Sequence, residues 1–530
     1  MSKRAPGDRT ASTTPPSNGP TPSASTSSLP SSPEELAEKE LIEEYLAQHG
    51  IENALNVFLN QVVRDRPADP YLVLGGLLQH RATSSKGIFS ISAREVFDAN
   101  GLPTLLAVVH TSKGRFEGST SSHTPAIYDT DDVTRCRGKG IRARDLALYV
   151  QHLLEGVDPC EQAVCDEKIA SMEEKLGRQA CLALSIAICK AGAVHKDVPL
   201  FEHIATLADV PIENACVPVP ILSVAHGGLQ GSNKLFVQEI TVMPIGCVSF
   251  HDAMRWGAEL NLVLRDLLDA KGLGHVNRGA VGGFAPQLNS TEEAIVIVKD
   301  AIAKVKEVHP SSGISFGLGV HVAAHAFATV GVDGDVVYNL DKWVAGSKGL
   351  NKGGDEVVDI LREWCRQHQV MTIIDPVDIK DIKIASTLNR SENEAVDAGN
   401  SDAADGVGGD PSVKVQVVGH AFLQHTKLET LHEERACNTI LLHLSQYGTV
   451  TAAVQAVVQA RVLGLSVIVG CDAGTVDDVF PVDFAVGIGC GQIKMGGLLS
   501  AEGVVRYNRL AGLSTDDPRA PSYAGATFRR

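Results

Sequence analysis

Five residues carry most of the chemical potential of this 530-residue chain. Glu239 sits in the run LFVQEITV, His420 follows VKVQVVG, His443 lies in NTILLHL, Cys471 closes LSVIVGC and Lys494 lies in GQIKMG. Each run is a short, β-branched stretch, and His420, His443 and Cys471 stand where successive strands would end. A carboxylate and a lysine brought together can share acid–base work, or form an internal ion pair that supports the mouth of the fold. A histidine titrates near neutrality and can act as a general base. His420, His443 and Cys471 are also softer ligands, suited to zinc rather than magnesium. The plainer reading, polar core residues without chemistry, stands beside these.

A repeated pattern must position these residues. From about Val217 onward, VPVPILSV, LFVQEITV, GISFGLGV, VMTIID, VKVQVVG, NTILLHL, LSVIVGC and GQIKMG alternate with longer amphipathic stretches. Strands alternating with helices over roughly 300 residues predict an α/β fold, a closed TIM-like (β/α)8 barrel. Active residues of such barrels collect at the C-terminal ends of the strands. Residues 391–412 interrupt the pattern with a small, acidic, Gly-rich insertion, read as a disordered surface loop. Upstream, ISAREVFDANGLPTLLAVVHTSKG reads as two strands of a meander with a turn at Asn100 and Gly101. Helices are expected at Ile141 to Leu154 and at Leu176 to Ala193.

Hydrophobic residues make up 44% and charged residues 21%, ordinary for a soluble globular protein. The net charge of -16 argues against nucleic acid or an anionic membrane as the main partner. No apolar run is long enough to span a membrane, and MSKRAPGDRT lacks a secretory signal's apolar stretch. The 11 Cys show no repeated spacing and read as reduced thiols of a cytoplasmic protein. Residues 1–33 are a Ser/Thr/Pro-rich disordered tail. Residues 34–82 are helical, with Ser32 as a cap. Leu41, Tyr45 and Leu46, then Leu55, Phe58, Leu59 and Val62, fall on one face at helical spacing. So few residues bury too little on their own and need a second copy or a partner.

Ordered segments carry a family resemblance. They are Phe97-Asp98-Ala99-Asn100-Gly101-Leu102-Pro103-Thr104, Gly138-Lys139-Gly140, Leu176-Gly177 and Asp197-Val198-Pro199-Leu200-Phe201. Val217-Pro218-Val219-Pro220, Gln238-Glu239, Gly282-Gly283-Phe284-Ala285-Pro286, Asp375-Pro376, Gln446-Tyr447-Gly448-Thr449 and Gly491-Gln492-Ile493-Lys494 follow. Over about 440 residues, from Gly87 to the end, the chain resembles the enolase (phosphopyruvate hydratase) family. The resemblance implies an α+β capping domain over 87–212 and a barrel over 213–530. It also implies a homodimer, magnesium as cofactor, and dehydration of 2-phosphoglycerate to phosphoenolpyruvate, a lyase step of glycolysis. The helical segment, with Arg66-Pro67-Ala68-Asp69-Pro70-Tyr71, resembles the dimerisation and docking helices of the regulatory-subunit and Dpy-30 type. That likeness implies a groove for an amphipathic helix of a scaffold protein. The combination is similar to the enolase 4 subfamily, which implies a flagellar, axonemal or cytoskeletal setting.

The carry-over to the site is incomplete. Glu239 matches the family carboxylate beside the leaving hydroxyl, Gln238 its neighbour, and Lys494 the lysine that neutralises the substrate carboxylate. The three metal carboxylates fall on Gly319, Ile374 and His420. The acidic residue before the double glycine falls on Val281, the base lysine on His443, the phosphate-gripping His-Arg-Ser on Cys471-Asp472-Ala473, and the loop His on Gln230. Ser119, with Thr120, is the remnant of the loop that brings a serine to the metal. The expectation is a catalytically degenerate enolase that acts as a dimeric docking component and binds no metal. Catalytic remnants are Glu239, Lys494 and His443, and ligand-binding remnants are Gln238 and Ser119. An active hydratase, or a repurposed enzyme using His443 and Glu239, are the alternatives.

Overall fold

The computed structural model describes residues 39, 41–47, 50–82, 87–121, 141–231, 233–331, 334–342, 349–397, 415–515 and 519–529. The expected tail over 1–33, the cap at Ser32 and most of the insertion lie outside these residues. The chain divides into two compact units after Ala82.

The first unit is helical. Helices α1 (Ile51–Asp65) and α2 (Pro70–Ala82) pack on each other. Arg66 ends α1 in the left-handed region at φ 44°, and the Asp69 carboxylate accepts the Leu72 amide at 3.0 Å, capping α2. Ala54 and Val62 are buried, yet Val63 (69% exposed), Tyr71 (84%) and Leu72 (73%) stay in solvent. This helical unit presents more apolar surface than a finished monomeric domain usually does.

The second unit opens with an antiparallel sheet, β1 (Ile88–Phe97), β2 (Pro103–Thr111) and β3 (Gly114–Ser119). It has three strands rather than the two expected. Asp98 Oδ1 accepts the amides of Asn100 and Leu102, both at 2.9 Å, and fixes the first turn. Helices α3 (Ile141–Leu154), α4 (Gln162–Ala170), α5 (Arg178–Lys196) and α6 (Leu200–Leu207) complete this α+β cap. Helix α5 starts at Arg178 and not at Leu176, because Gly177 (φ 86°, ψ 151°) separates it from the short turn Glu173–Leu176.

The barrel follows. Its strands are β4 (Val219–Pro220), β5 (Leu222–His226), β6 (Glu239–Ile245), β7 (Ser315–His321), β8 (Val370–Ile374), β9 (Gln416–Gly419), β10 (Thr439–His443), β11 (Ser466–Gly470) and β12 (Gln492–Lys494). The sheet order is β4-β12-β11-β10-β9-β8-β7-β6-β5. Strands β4 and β5 are one stretch interrupted at Ile221, so the same segment bonds both ends of the sheet and nearly closes it. Helices α7 (Phe250–Ala270), α8 (Thr291–Val308), α9 (Gly354–His368), α10 (Ile382–Asp397), α11 (Val450–Val462), α12 (Phe480–Gly487) and α13 (Ala501–Leu513) belong to the same region.

The expected TIM-like barrel is present, with one strand reversed: β6 runs antiparallel to both β5 and β7. Among the described residues the link over 227–238 holds only the four-residue helical turn Gly228–Gly231, too short for a parallel crossover, and the strand returns antiparallel. The insertion read as a loop from 391 begins as helix: α10 runs through SENEAVD to Asp397. That stretch holds no Gly or Pro before Gly399, and its Glu and Ala favour continuation. A small antiparallel sheet of Ala328–Val330, Val336–Asn339 and Asn351–Gly353 also stands between β7 and α9.

Candidate active site

Strand direction decides which residues meet at the mouth. The last residues of the parallel strands point there, and antiparallel β6 brings its first residue to the same end. Glu239 therefore pairs in register with both His226 and His321. Around it stand Asp375, His420, His443, Asp472 and Lys494, all buried.

Two clusters fill the mouth. In the first, Lys494 Nζ donates to both oxygens of Glu239 at 2.8 Å, and Ser223 Oγ donates to Glu239 Oε2. His321 bridges two carboxylates, with Nδ1 3.0 Å from Glu239 and Nε2 3.3 Å from Asp375. Asp375 sits in the left-handed region at φ 49°. This turn aims its Oδ1 at the amides of His420 (2.7 Å) and Ala421 (2.9 Å). Burial alone would raise the Glu239 and Asp375 carboxyls. Lys494 and His321 outweigh it at Glu239, and His321 and His420 at Asp375, so both are held low. Burial likewise disfavours the His321 cation, but its two carboxylate partners prevail and raise its pKa. Within the cluster the Glu239 and Asp375 carboxylates thus face Lys494 and an imidazole that has a carboxylate at each ring nitrogen.

In the second cluster, His443 Nδ1 lies 2.7 Å from Asp472 Oδ1, and Ser445 donates to the other Asp472 oxygen. His420 Nδ1 lies 3.1 Å from the Leu441 carbonyl. The ring centroids of His420 and His443 lie 4.0 Å apart, with the planes tilted by 39°. Burial, then the neighbouring His443, pushes the His420 pKa down.

The expected site residues scatter over this arrangement. Glu239, Lys494 and His443 do reach the mouth. Gln238 is half-buried beside Glu239, with its amide on the His321 carbonyl at 2.8 Å. Ser119, at the end of cap strand β3, has its amide 3.2 Å from Asp478 and lines a small void together with His443 and Asp472. The side chain of Gln230 lies outside the described residues. Gly319, expected at the mouth as a metal position, sits two residues deeper, level with Thr241 and Thr372. A β-carbon on Gly319 would meet Thr241 Oγ1 at 2.7 Å, so no carboxylate fits there. The mouth position of β7 is held by His321, which the sequence reading missed; the strand-ending run Gly-Val-His-Val was its signal. Asp375 was read only as part of a family segment, and Asp472 only as a charge standing at the phosphate-gripping position. Ile374 is fully buried in an apolar cluster with Val418, Leu441 and Ile468.

Magnesium needs hard oxygen ligands in near-octahedral array. Imidazoles at His321 and His420 and an isoleucine at 374 do not supply them, and the nearest carboxylates are engaged with Lys494 and His321. The residues present do not fit that ion, and no step can be routed through it.

The comparisons place the chain. The family model for the enolase C-terminal TIM barrel domain matches residues 214–530, and that for the enolase N-terminal domain matches residues 88–204. "Enolase 2" of Hevea brasiliensis is 31% identical over 465 residues, covering 83% of this chain and 98% of the relative. "Cytosolic enolase 3" of Arabidopsis thaliana is 30% identical over 510 residues, covering 92% and 99%. "Enolase" of Solanum lycopersicum is 31% identical over 466 residues, covering 84% and 98%. With both domain models matched in order and the relatives spanned almost end to end, the chain belongs to the enolase family.

Proposed function

We propose that this chain is a catalytically degenerate enolase, without magnesium-dependent dehydration of 2-phosphoglycerate. The observation that carries the reading is the hydrogen-bonded cluster of Glu239, Lys494, His321 and Asp375. The reaction needs unengaged carboxylates for metal and a free cation for the substrate carboxylate. Here Lys494 is bonded to Glu239, His321 bridges Glu239 and Asp375, and Asp472 puts a negative charge at the phosphate position. Magnesium and 2-phosphoglycerate together should leave the melting temperature of the full chain unchanged. A rise of several degrees would overturn the reading, because ligand binding must stabilise the folded state.

The exposed leucines of the first unit support a docking role of the enolase 4 kind, in a flagellar or cytoskeletal setting. The segment 34–82 pairs with a second copy of the chain, and the paired helices accept an amphipathic helix of a scaffold protein. Leu55 and Leu59 lie one helical turn apart on α1, and both are exposed. The double change Leu55→Asp and Leu59→Asp is expected to abolish docking and leave the thermal melt of the enolase body unaltered. Light scattering checks the pairing: the full chain should be at least dimeric, and a monomeric mass refutes it. A lowered melt of the body in the double variant refutes the docking role.

A further inference from the structure

His203, on cap helix α6, is fully buried, and neither ring nitrogen has a hydrogen-bond partner among the described residues. One nitrogen of a neutral imidazole carries a proton and the other a lone pair. A donor and an acceptor are therefore both left bare in the interior, at a cost. A charged imidazole in the same place would cost far more. We propose that His203 is an acid-sensitive joint of the cap: protonation of its unpartnered ring releases helix α6 from helix α5 and loosens the seat of the cap on the barrel.

The packing brings the ring no counter-charge among the described residues. A β-carbon on Gly192 of α5 would stand 2.9 Å from His203 Nε2 and 2.6 Å from the Pro159 carbonyl oxygen. Ring, helix and the chain before α4 thus meet at a closeness that only glycine permits. On α5, Lys196 repels a cation, Lys190 is taken by Asp478, and His195 Nε2 lies 2.8 Å from Thr111 Oγ1. Burial keeps the Cys189 thiol of α5 protonated and pushes the Cys160 thiol, before α4, up to about 11. Asp158 accepts the Cys160 amide at 2.9 Å, and Asp483, on barrel helix α12, is held by Arg509 at 2.9 Å. Glu161, Asp197 and Glu213 are exposed, Glu202 is half-buried, and none of them bonds to the ring. Burial first, and Lys196 second, lower the His203 pKa to about 4.

Helix α6 carries the effect to the barrel, because it packs on both α5 and α12. Gly487 of α12 comes so close that a β-carbon there would stand 2.5 Å from the Phe201 carbonyl oxygen. The folded pKa lies below the unfolded value of about 6.5. The joint is therefore fully closed above that value and weakens as pH falls towards about 4.

The test is native-state hydrogen exchange on the full chain at pH 7.5 and 5.0, corrected for the intrinsic pH dependence of exchange. In wild type the opening constant of the α6 amides should rise roughly thirty-fold between the two conditions. It should change little in His203→Leu, which fills a similar volume without a titratable group. The readout is local because burial also keeps His420 neutral at the mouth, and that histidine acts on global unfolding. An equal rise in both chains overturns the joint, and so does unchanged α6 protection in wild type at pH 5.0. Titration of the wild-type histidine rings by NMR decides the matter if His203→Leu fails to fold. A His203 ring still neutral at pH 5.0 is expected; one that protonates near pH 6.5 while α6 stays protected overturns the proposal.

Discussion

Lys494→Met should destabilise the folded barrel by about 3–5 kcal/mol, the usual consequence of removing one partner from a buried ion pair. Lys494 gives Glu239 two hydrogen bonds of 2.8 Å, and both residues are buried. Without the lysine, Glu239 retains only Ser223 and a His321 that it shares with Asp375. The double change Lys494→Met with Glu239→Gln should recover much of the loss, since no unpaired charge then remains. A single variant as stable as wild type in urea denaturation would show that the pair does not support the mouth.

The pH dependence has a definite sign. The Glu239 carboxyl is held well below its usual value, so its stabilisation is full above the unfolded-state carboxylate pKa. It is lost only as pH falls through the low folded value. In Lys494→Met that carboxyl becomes easier to protonate and pays less for burial as acid neutralises it. The stability gap between wild type and variant should therefore be widest at neutral pH and shrink on acidification towards the ordinary carboxylate range. A gap that grows with acid would contradict the assignment.

Asp166→Ala should have the next largest effect, because one buried carboxylate ties the cap to the barrel. Asp166 lies on α4 of the cap and accepts Ser185 Oγ at 2.6 Å and Gln162 Nε2 at 3.0 Å. It also accepts Thr451 N at 2.9 Å and Thr451 Oγ1 at 2.7 Å, in the first turn of barrel helix α11. There a carboxylate also suits the helix dipole. Burial pushes the Asp166 carboxyl up, and these four donors pull the other way. Alanine leaves several buried donors without a partner, at about 1–3 kcal/mol each where water cannot replace it. A clearly lower urea midpoint is expected. An unchanged midpoint would mean that the cap is held mainly by its apolar contacts.

The barrel was legible because its eight β-branched runs are spaced by amphipathic stretches, and all eight fall on strands. Strand direction was not legible. Period-two alternation is the same whichever way a strand runs, so the reversal of β6 had to come from the structure. The site suffered from the same blindness. Glu239 and Lys494 were found because Gln238-Glu239 and Gly491-Gln492-Ile493-Lys494 carry the family resemblance, and His443 because the base-lysine position falls on it. Gly319 was set two residues too deep, because Gly-Leu-Gly-Val-His offers two similar placements, and only pairing with Glu239 selects His321. Asp472 reads as a misplaced charge until its 2.7 Å bond to His443 is seen. Such contacts join residues far apart in the chain and leave no local trace.

The central claim is that an enolase-family fold here lacks the enolase reaction. Loss of metal stabilisation and of one well-placed electrostatic donor, the latter about 2.7–4 kcal/mol alone, removes many orders of magnitude in rate. The most direct measurement is phosphoenolpyruvate formation from 2-phosphoglycerate by the purified full chain with saturating magnesium, beside an active enolase under the same conditions. The account predicts no product above the enzyme-free background. Turnover at a thousandth of the active enzyme's rate, abolished by Glu239→Gln, would contradict it.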